Sequence, residues 1–126
     1  MPTDLVIHVD NEPGALARVT AAISDAGVNL AAATCTGPGA TADLHILVKH
    51  GEAARHALAI SGLAVGEERE VVVVEADDRP GALADLARKV ATAGVNLDLV
   101  YVATGTRVVF GSPDLPALKA ALGIEA

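Results

Sequence analysis

Residues 4–9, DLVIHV, place Leu5, Ile7 and Val9 on one side and Val6 and His8 on the other, the period of two that marks a strand. The turn DNEPG follows, and its proline suits the first turn of a helix, where a missing N–H costs nothing. Leu16, Val19 and Ile23 then recur at helical spacing, with Ala26 close to the same stripe. Gly27 is placed to stop that helix in the left-handed conformation that glycine adopts cheaply. The pattern predicts a strand over about 29–36, a loop at Gly37-Pro38-Gly39, and a strand over 43–49 with Leu44, Ile46 and Val48 on one face. A short helix over 52–60, ended near Ser61-Gly62, and a brief strand over 63–69 complete the order βαββαβ.

The order then begins again. A strand over 70–76 contains four consecutive valines, Val71 to Val74, which suit burial on both faces. A helix over about 80–93 carries Leu83, Leu86 and Val90, and strands are expected over 96–103 and 106–111. A last helix is expected after Ser112, a good N-cap with Pro113 behind it. Ile124-Glu125-Ala126 leave little room for a fourth strand in this second half. An edge left open in that way invites pairing with a second chain, unless it is short or covered by the terminal residues.

The two halves share sequence as well as pattern. DNEPGALA at Asp10 to Ala17 returns as DDRPGALA at Asp77 to Ala84, and DAGVNL at Asp25 to Leu30 returns as TAGVNL at Thr92 to Leu97, both at an offset of 67. Across 10–30 against 77–97, 11 of 21 positions are identical, which makes a duplication rather than chance the basis for the domain reading. The expected units are residues 1–66 and 69–126. Units so small bury thin cores and are marginal alone, so the two are expected to pack together.

Composition narrows the function. The chain is 52% hydrophobic but 2% aromatic, so its cores must be built from Ala, Val, Leu and Ile. A formal net charge of −7 argues against a nucleic-acid partner, whose phosphates it would repel. The single Cys35 excludes an internal disulfide and any Cys-x-x-Cys metal pair. With no signal peptide and no apolar run long enough to span a bilayer, a cytoplasmic protein without membrane contact is the expectation.

A strand, then [DN]-x-P-G-A-L opening a helix, then A-G-V-N-L entering the next strand, written twice, resembles the ACT domain. The resemblance covers nearly the whole chain. It implies an α+β fold of two ferredoxin-like βαββαβ repeats packed together, with antiparallel sheets and helices on one face. ACT domains are regulatory modules that commonly pair side by side and bind amino acids between them. By that resemblance the ligand is met by Asp10, Asn11, Gly14, Ala15, Leu16 and Asn29 in the first copy. The second copy supplies Asp78, Arg79, Gly81, Ala82, Leu83 and Asn96. Physics supports the transfer: amides at a helix start are unpaired within the helix and favour an α-carboxylate, and Asn29, Asn96, Asp10 or Asp78 offer acceptors to an α-ammonium. Within one unit the turn and the second strand's entrance lie at opposite ends of a helix, so a complete site needs two units facing each other. Glu12 stands where the second copy has Arg79, so the two sites are expected to be inequivalent, with the second turn the better host for an anion. The structural alternative is that Pro-Gly only forms the turn and that Asn29 and Asn96 only cap strand ends.

Other residues are read as background. His8 and His45 are expected near each other on the open face of the sheet, exposed or facing a partner rather than binding zinc or copper, since no third ligand is evident. Cys35 is expected as small buried filler, GEEREV at 66–71 as a solvated linker or strand end, and Tyr101 as an interface residue with its hydroxyl in water. No nucleophile with a base, no catalytic carboxylate pair and no phosphate loop is marked, so no enzyme activity and no cofactor or metal is expected. An RNA-binding use of the fold lacks its aromatic residues, and a metal chaperone its paired cysteines. The reading is a non-catalytic amino-acid sensor that passes its signal to a separate enzyme or through assembly, as a homodimer or through an open sheet edge. The alternative is a protein-interaction module with vestigial ligand pockets.

Overall fold

The alternating segment at the start of the chain forms strand β1 (Thr3–Asp10), and the turn after it opens helix α1 (Ala15–Asp25). Strands β2 (Ala32–Thr36) and β3 (Thr41–Val48), helix α2 (Gly51–Ile60) and strand β4 (Glu67–Glu70) follow. Their sheet has the order β2-β3-β1-β4. A computed structural model describes residues 2–124, divided into a first compact unit running to Arg69 and a second starting at Glu70.

Register decides which side chains make the first core. Leu5 lies opposite Ile46 and Ile7 opposite Leu44, so all four share one face. Val19 and Ile23 of α1 and Ala54 and Leu58 of α2 cover that face. Replacing any of the large members by alanine is expected to cost about 2–5 kcal/mol. The stripe of α1 differs from the expected one. Ala15, Val19 and Ile23 are buried at i, i+4 and i+8, while Leu16 is 44% exposed. Turning the helix to bury Ala15 brings its backbone closer to the sheet and puts Leu16 outside.

The second unit contains β5 (Val72–Glu75), α3 (Ala82–Thr92), β6 (Leu99–Val102), β7 (Arg107–Gly111) and α4 (Leu115–Ala121). Its sheet has three strands among the described residues, in the order β5-β7-β6. Val72, Val108 and Phe110 face Val90 of α3 and Leu118 of α4. Of the four valines only Val71 and Val72 are buried; Val73 and Val74 are half-buried, so the run is not covered on both faces along its whole length. Leu83, like Leu16, leaves the expected stripe and is 42% exposed, while Ala82 takes the buried place. The architecture is α+β with antiparallel, ferredoxin-like sheets and helices on one face of each.

Several boundaries move for physical reasons. The second strands begin at Ala32 and Leu99, three residues later than the sequence pattern suggested, because helix-stop geometry occupies the intervening residues. Asp114 rather than Ser112 caps α4: its carboxylate accepts from the Ala117 amide at 3.1 Å, while the Ser112 hydroxyl accepts from the Asp114 amide. Cys35 is exposed rather than buried, since β2 is an edge strand whose Ala33 and Cys35 side lies beyond the helices. Tyr101 is buried in the second unit. Glu125 and Ala126, where a last strand would have to run, lie outside the described residues.

Candidate functional site

Both copies of the repeated turn fold alike. Gly14 has φ 86° and ψ −11°, and Gly81 has φ 89° and ψ −7°, left-handed conformations in which a side chain is strained. Each glycine is the N-cap of its helix, and its carbonyl accepts from Arg18 at 3.0 Å or from Asp85 at 2.9 Å. The Ala15 amide turns back to the Glu12 carbonyl and the Ala82 amide to that of Arg79. No side chain caps either helix, so the amides of Leu16 and Ala17, and of Leu83 and Ala84, face outward from the first turn. The Ala15 and Ala82 side chains are buried and serve packing; only their backbone belongs to the turn's surface.

The far ends of these helices explain most of the second repeated motif. The Val28 amide donates to the Ile23 carbonyl at 3.2 Å and the Gly27 amide to that of Ser24 at 3.0 Å. Val95 to Val90 at 3.2 Å and Gly94 to Ala91 at 2.9 Å repeat the pattern. These are the paired bonds of a Schellman stop, and φ is 73° at both Gly27 and Gly94. Val28, Leu30, Val95 and Leu97 pack on the cores, so the Gly-Val-x-Leu part of the motif is structural. Asn29 and Asn96 are exposed and precede their strands without a side-chain hydrogen bond among the described residues. Neither caps a strand end. Within one unit Asn29 is separated from Asn11 by the length of α1, about 16 Å for an 11-residue helix, so no single unit brings them together.

The polar residues of the two turns differ. The Asn11 amide group donates to the carbonyls of Gly37 and Gly39, both at 2.8 Å, clamping the β2–β3 loop. A Cβ at Gly37 would meet Ala42 Cβ at 2.8 Å and Asn11 at 3.2 Å, so that position requires glycine. Asp78, the counterpart of Asn11, is exposed and makes no such clamp. Arg79 donates to Asp85 at 2.8 Å and lies 3.6 Å from Asp77. The hydrogen bond that Arg79 donates to Asp85, and then the charge of that carboxylate, raise the pKa of the Arg79 guanidinium. The same bond lowers the pKa of the Asp85 carboxyl below the ordinary value. Arg79 is therefore already neutralised, against the expectation that it stands ready for an anion. Glu12 and Arg18, at the equivalent positions, form the same bridge with opposite polarity and a longer separation of 3.9 Å.

The histidines lie on one face of the first sheet, as their parity implied, but each is paired with a carboxylate. His8 Nδ1 is 2.6 Å from Asp43, and His45 Nδ1 is 2.9 Å from the buried Asp4. Among the described residues no three His, Cys, Asp or Glu side chains form a group able to hold a metal ion. Nor is any described helix long and apolar enough to cross a membrane. A cleft of about 1110 Å³ at the start of α2, lined by Lys49, His50, Arg55, His56 and Glu68 among others, includes none of the expected site residues.

Comparison with known proteins bears on this geometry. A family profile described as the ACT domain matches residues 3–59, which lie within the first unit. No curated protein matches. Among solved structures, a protein from Bacteroides thetaiotaomicron is 25% identical with a TM-score of 0.84, over 96% of this chain and 85% of that one. The ligand-free regulatory subunit of aspartate kinase from Thermus thermophilus is 20% identical with a TM-score of 0.71, over 97% and 88%. That of Thermus flavus is 19% identical with a TM-score of 0.64, over 97% and 90%. These likenesses extend through both units and establish a shared fold.

Proposed function

We propose that the chain is a tandem ACT-type regulatory protein, without catalysis of its own, that binds an amino acid. Its repeats are residues 1–66 and 69–126. The ligand sits where the turn of one unit faces the second-strand entrance of another, and its binding is passed to a separate enzyme or expressed as a change in assembly. One observation carries this reading: in both copies the same glycine holds an uncapped helix start open, and the same asparagine is left exposed without structural employment. The helix amides suit the α-carboxylate, worth about 0.3–1 kcal/mol at an exposed helix start. The Asn29 or Asn96 carbonyl suits the α-ammonium. Two of the similar structures are aspartate kinase regulatory subunits, which makes amino acids the first ligands to try.

The second reading, a protein-interaction module with vestigial pockets, is favoured by the internal use of Asn11 and Arg79. A thermal-shift screen of the dialysed protein against the twenty amino acids at millimolar concentration separates the two. A ligand that binds only the folded state raises the melting temperature. One or two positive amino acids support the sensor; no shift with any leaves the interaction module.

A further inference from the structure

The cleft at the start of α2 gathers basic side chains in an acidic protein. Lys49, His50, Arg55 and His56 line it, two of the chain's four histidines among them, although the formal net charge is −7. Elsewhere such groups are paired: His8 with Asp43, His45 with Asp4, Arg79 with Asp85 and Lys119 with Glu70. Within the cleft Arg55 is paired too, donating to Glu68 at 2.8 Å. The side chains of Lys49, His50 and His56 make no hydrogen bond or ion pair among the described residues.

The floor of the cleft explains why Glu68 does not compete for them. Gly51 is buried, and a Cβ there would meet the Glu68 carboxylate at 2.7 Å and Thr3 at 2.8 Å. Glycine thus lets Glu68 lie against the helix, where it holds Arg55. Glu52, one helical turn before His56, is the carboxylate that remains in the cleft without a partner. The second unit does not repeat the arrangement: Asp114 caps α4, where His50 stands at α2 without a cap bond.

We propose that this cleft binds a small phosphate-bearing molecule, an effector separate from the amino acid, with Lys49, His50 and His56 meeting the phosphate oxygens. Lys49 brings a fixed charge, and an imidazole offers an N–H donor in either protonation state. A volume of about 1110 Å³ admits a sugar phosphate or a nucleotide. A nucleic acid or an anionic membrane would extend past the cleft over a protein that is negative in sum. A small ligand instead meets the charges within about 10 Å of it. The cleft shares no residue with the repeated turns, so the site stands or falls apart from the amino-acid reading.

Amide NMR spectra of the full chain, titrated with millimolar pyrophosphate at an ionic strength held constant with sodium chloride, provide the test. Saturable shifts centred on residues 49–56 are expected. Lys49→Glu is expected to weaken binding about tenfold, and Glu52→Gln, which removes a repelling charge, to strengthen it about threefold. Lys89→Glu, at an exposed lysine of α3, is expected to leave the affinity unchanged. No saturable shift, or shifts spread over the lysines and arginines of the whole chain, overturns the proposal. So does an affinity untouched by Lys49→Glu, or lowered as much by Lys89→Glu. Citrate binding as tightly as pyrophosphate overturns the assignment to phosphate. If Lys49→Glu fails to fold, Glu52→Gln decides alone, and an affinity that it leaves unchanged or lowers is equally damaging.

Discussion

The two turns share a backbone to within a few degrees and disagree in charge. Gly14 and Gly81 adopt the same left-handed conformation, yet Glu12–Arg18 and Arg79–Asp85 carry the same bridge with its poles exchanged. What both copies keep is the open helix start. What they vary is the fastening: Asn11 ties the first turn to a loop, while Arg79 ties the second to its own helix. Shape is therefore common to the two candidate half-sites, and any preference between them resides in the residues around the glycine.

The glycines should give the largest effect and the same one in both units. Gly14→Val and Gly81→Val each force a branched residue into the left-handed region and are expected to lose about 1–2 kcal/mol in urea unfolding. Unequal losses would show that the turns are less alike than their dihedral angles. Next, Asn11→Ala removes two hydrogen bonds and is expected to cost about 1 kcal/mol, whereas Asp78→Ala should stay within about 0.5 kcal/mol. Equal costs would break the contrast in fastening.

The hairpins sharpen it further. Gly105 and Thr106 have φ 68° and 59° in the β6–β7 turn, a conformation a branched residue resists, so Thr106→Gly is expected to stabilise the protein by up to about 1 kcal/mol. The smallest effect is acid-dependent. The Asp85 pKa is lowered first by its hydrogen bond with Arg79, so its contribution is present above about pH 4 and is lost as pH falls through the lowered value. The stability difference between wild type and Asp85→Asn should therefore shrink in urea titrations carried from neutral pH down through the lower end of the carboxylate range.

The duplication was legible because identical residues at a fixed offset need no structure to be seen. The core strands were legible too, since Leu5, Ile7, Leu44 and Ile46 alternate strictly. The inward face of α1 was not: Leu16 and Ala15 are adjacent, and hydrophobicity favours the leucine where close packing chose the alanine. Cys35 misled for a related reason, because a β-strand pattern does not say which strand is an edge. Within the candidate site, the sequence located both repeated turns but could not reveal that Asn11 and Arg79 are spent on internal partners. Tertiary contacts assigned those bonds. The Schellman bonds, by contrast, follow from Ala-Gly-Val at a helix end, and recognising them isolates Asn29 and Asn96 as the unexplained residues.

Titration calorimetry of the dialysed protein with each amino acid, repeated on Asn29→Ala and Asn96→Ala, tests the central claim most directly. The account expects saturable heat with at least one amino acid, lost in one or both asparagine variants while the fold persists. No heat with any amino acid would contradict it, and binding untouched by both substitutions would remove the asparagines from the site.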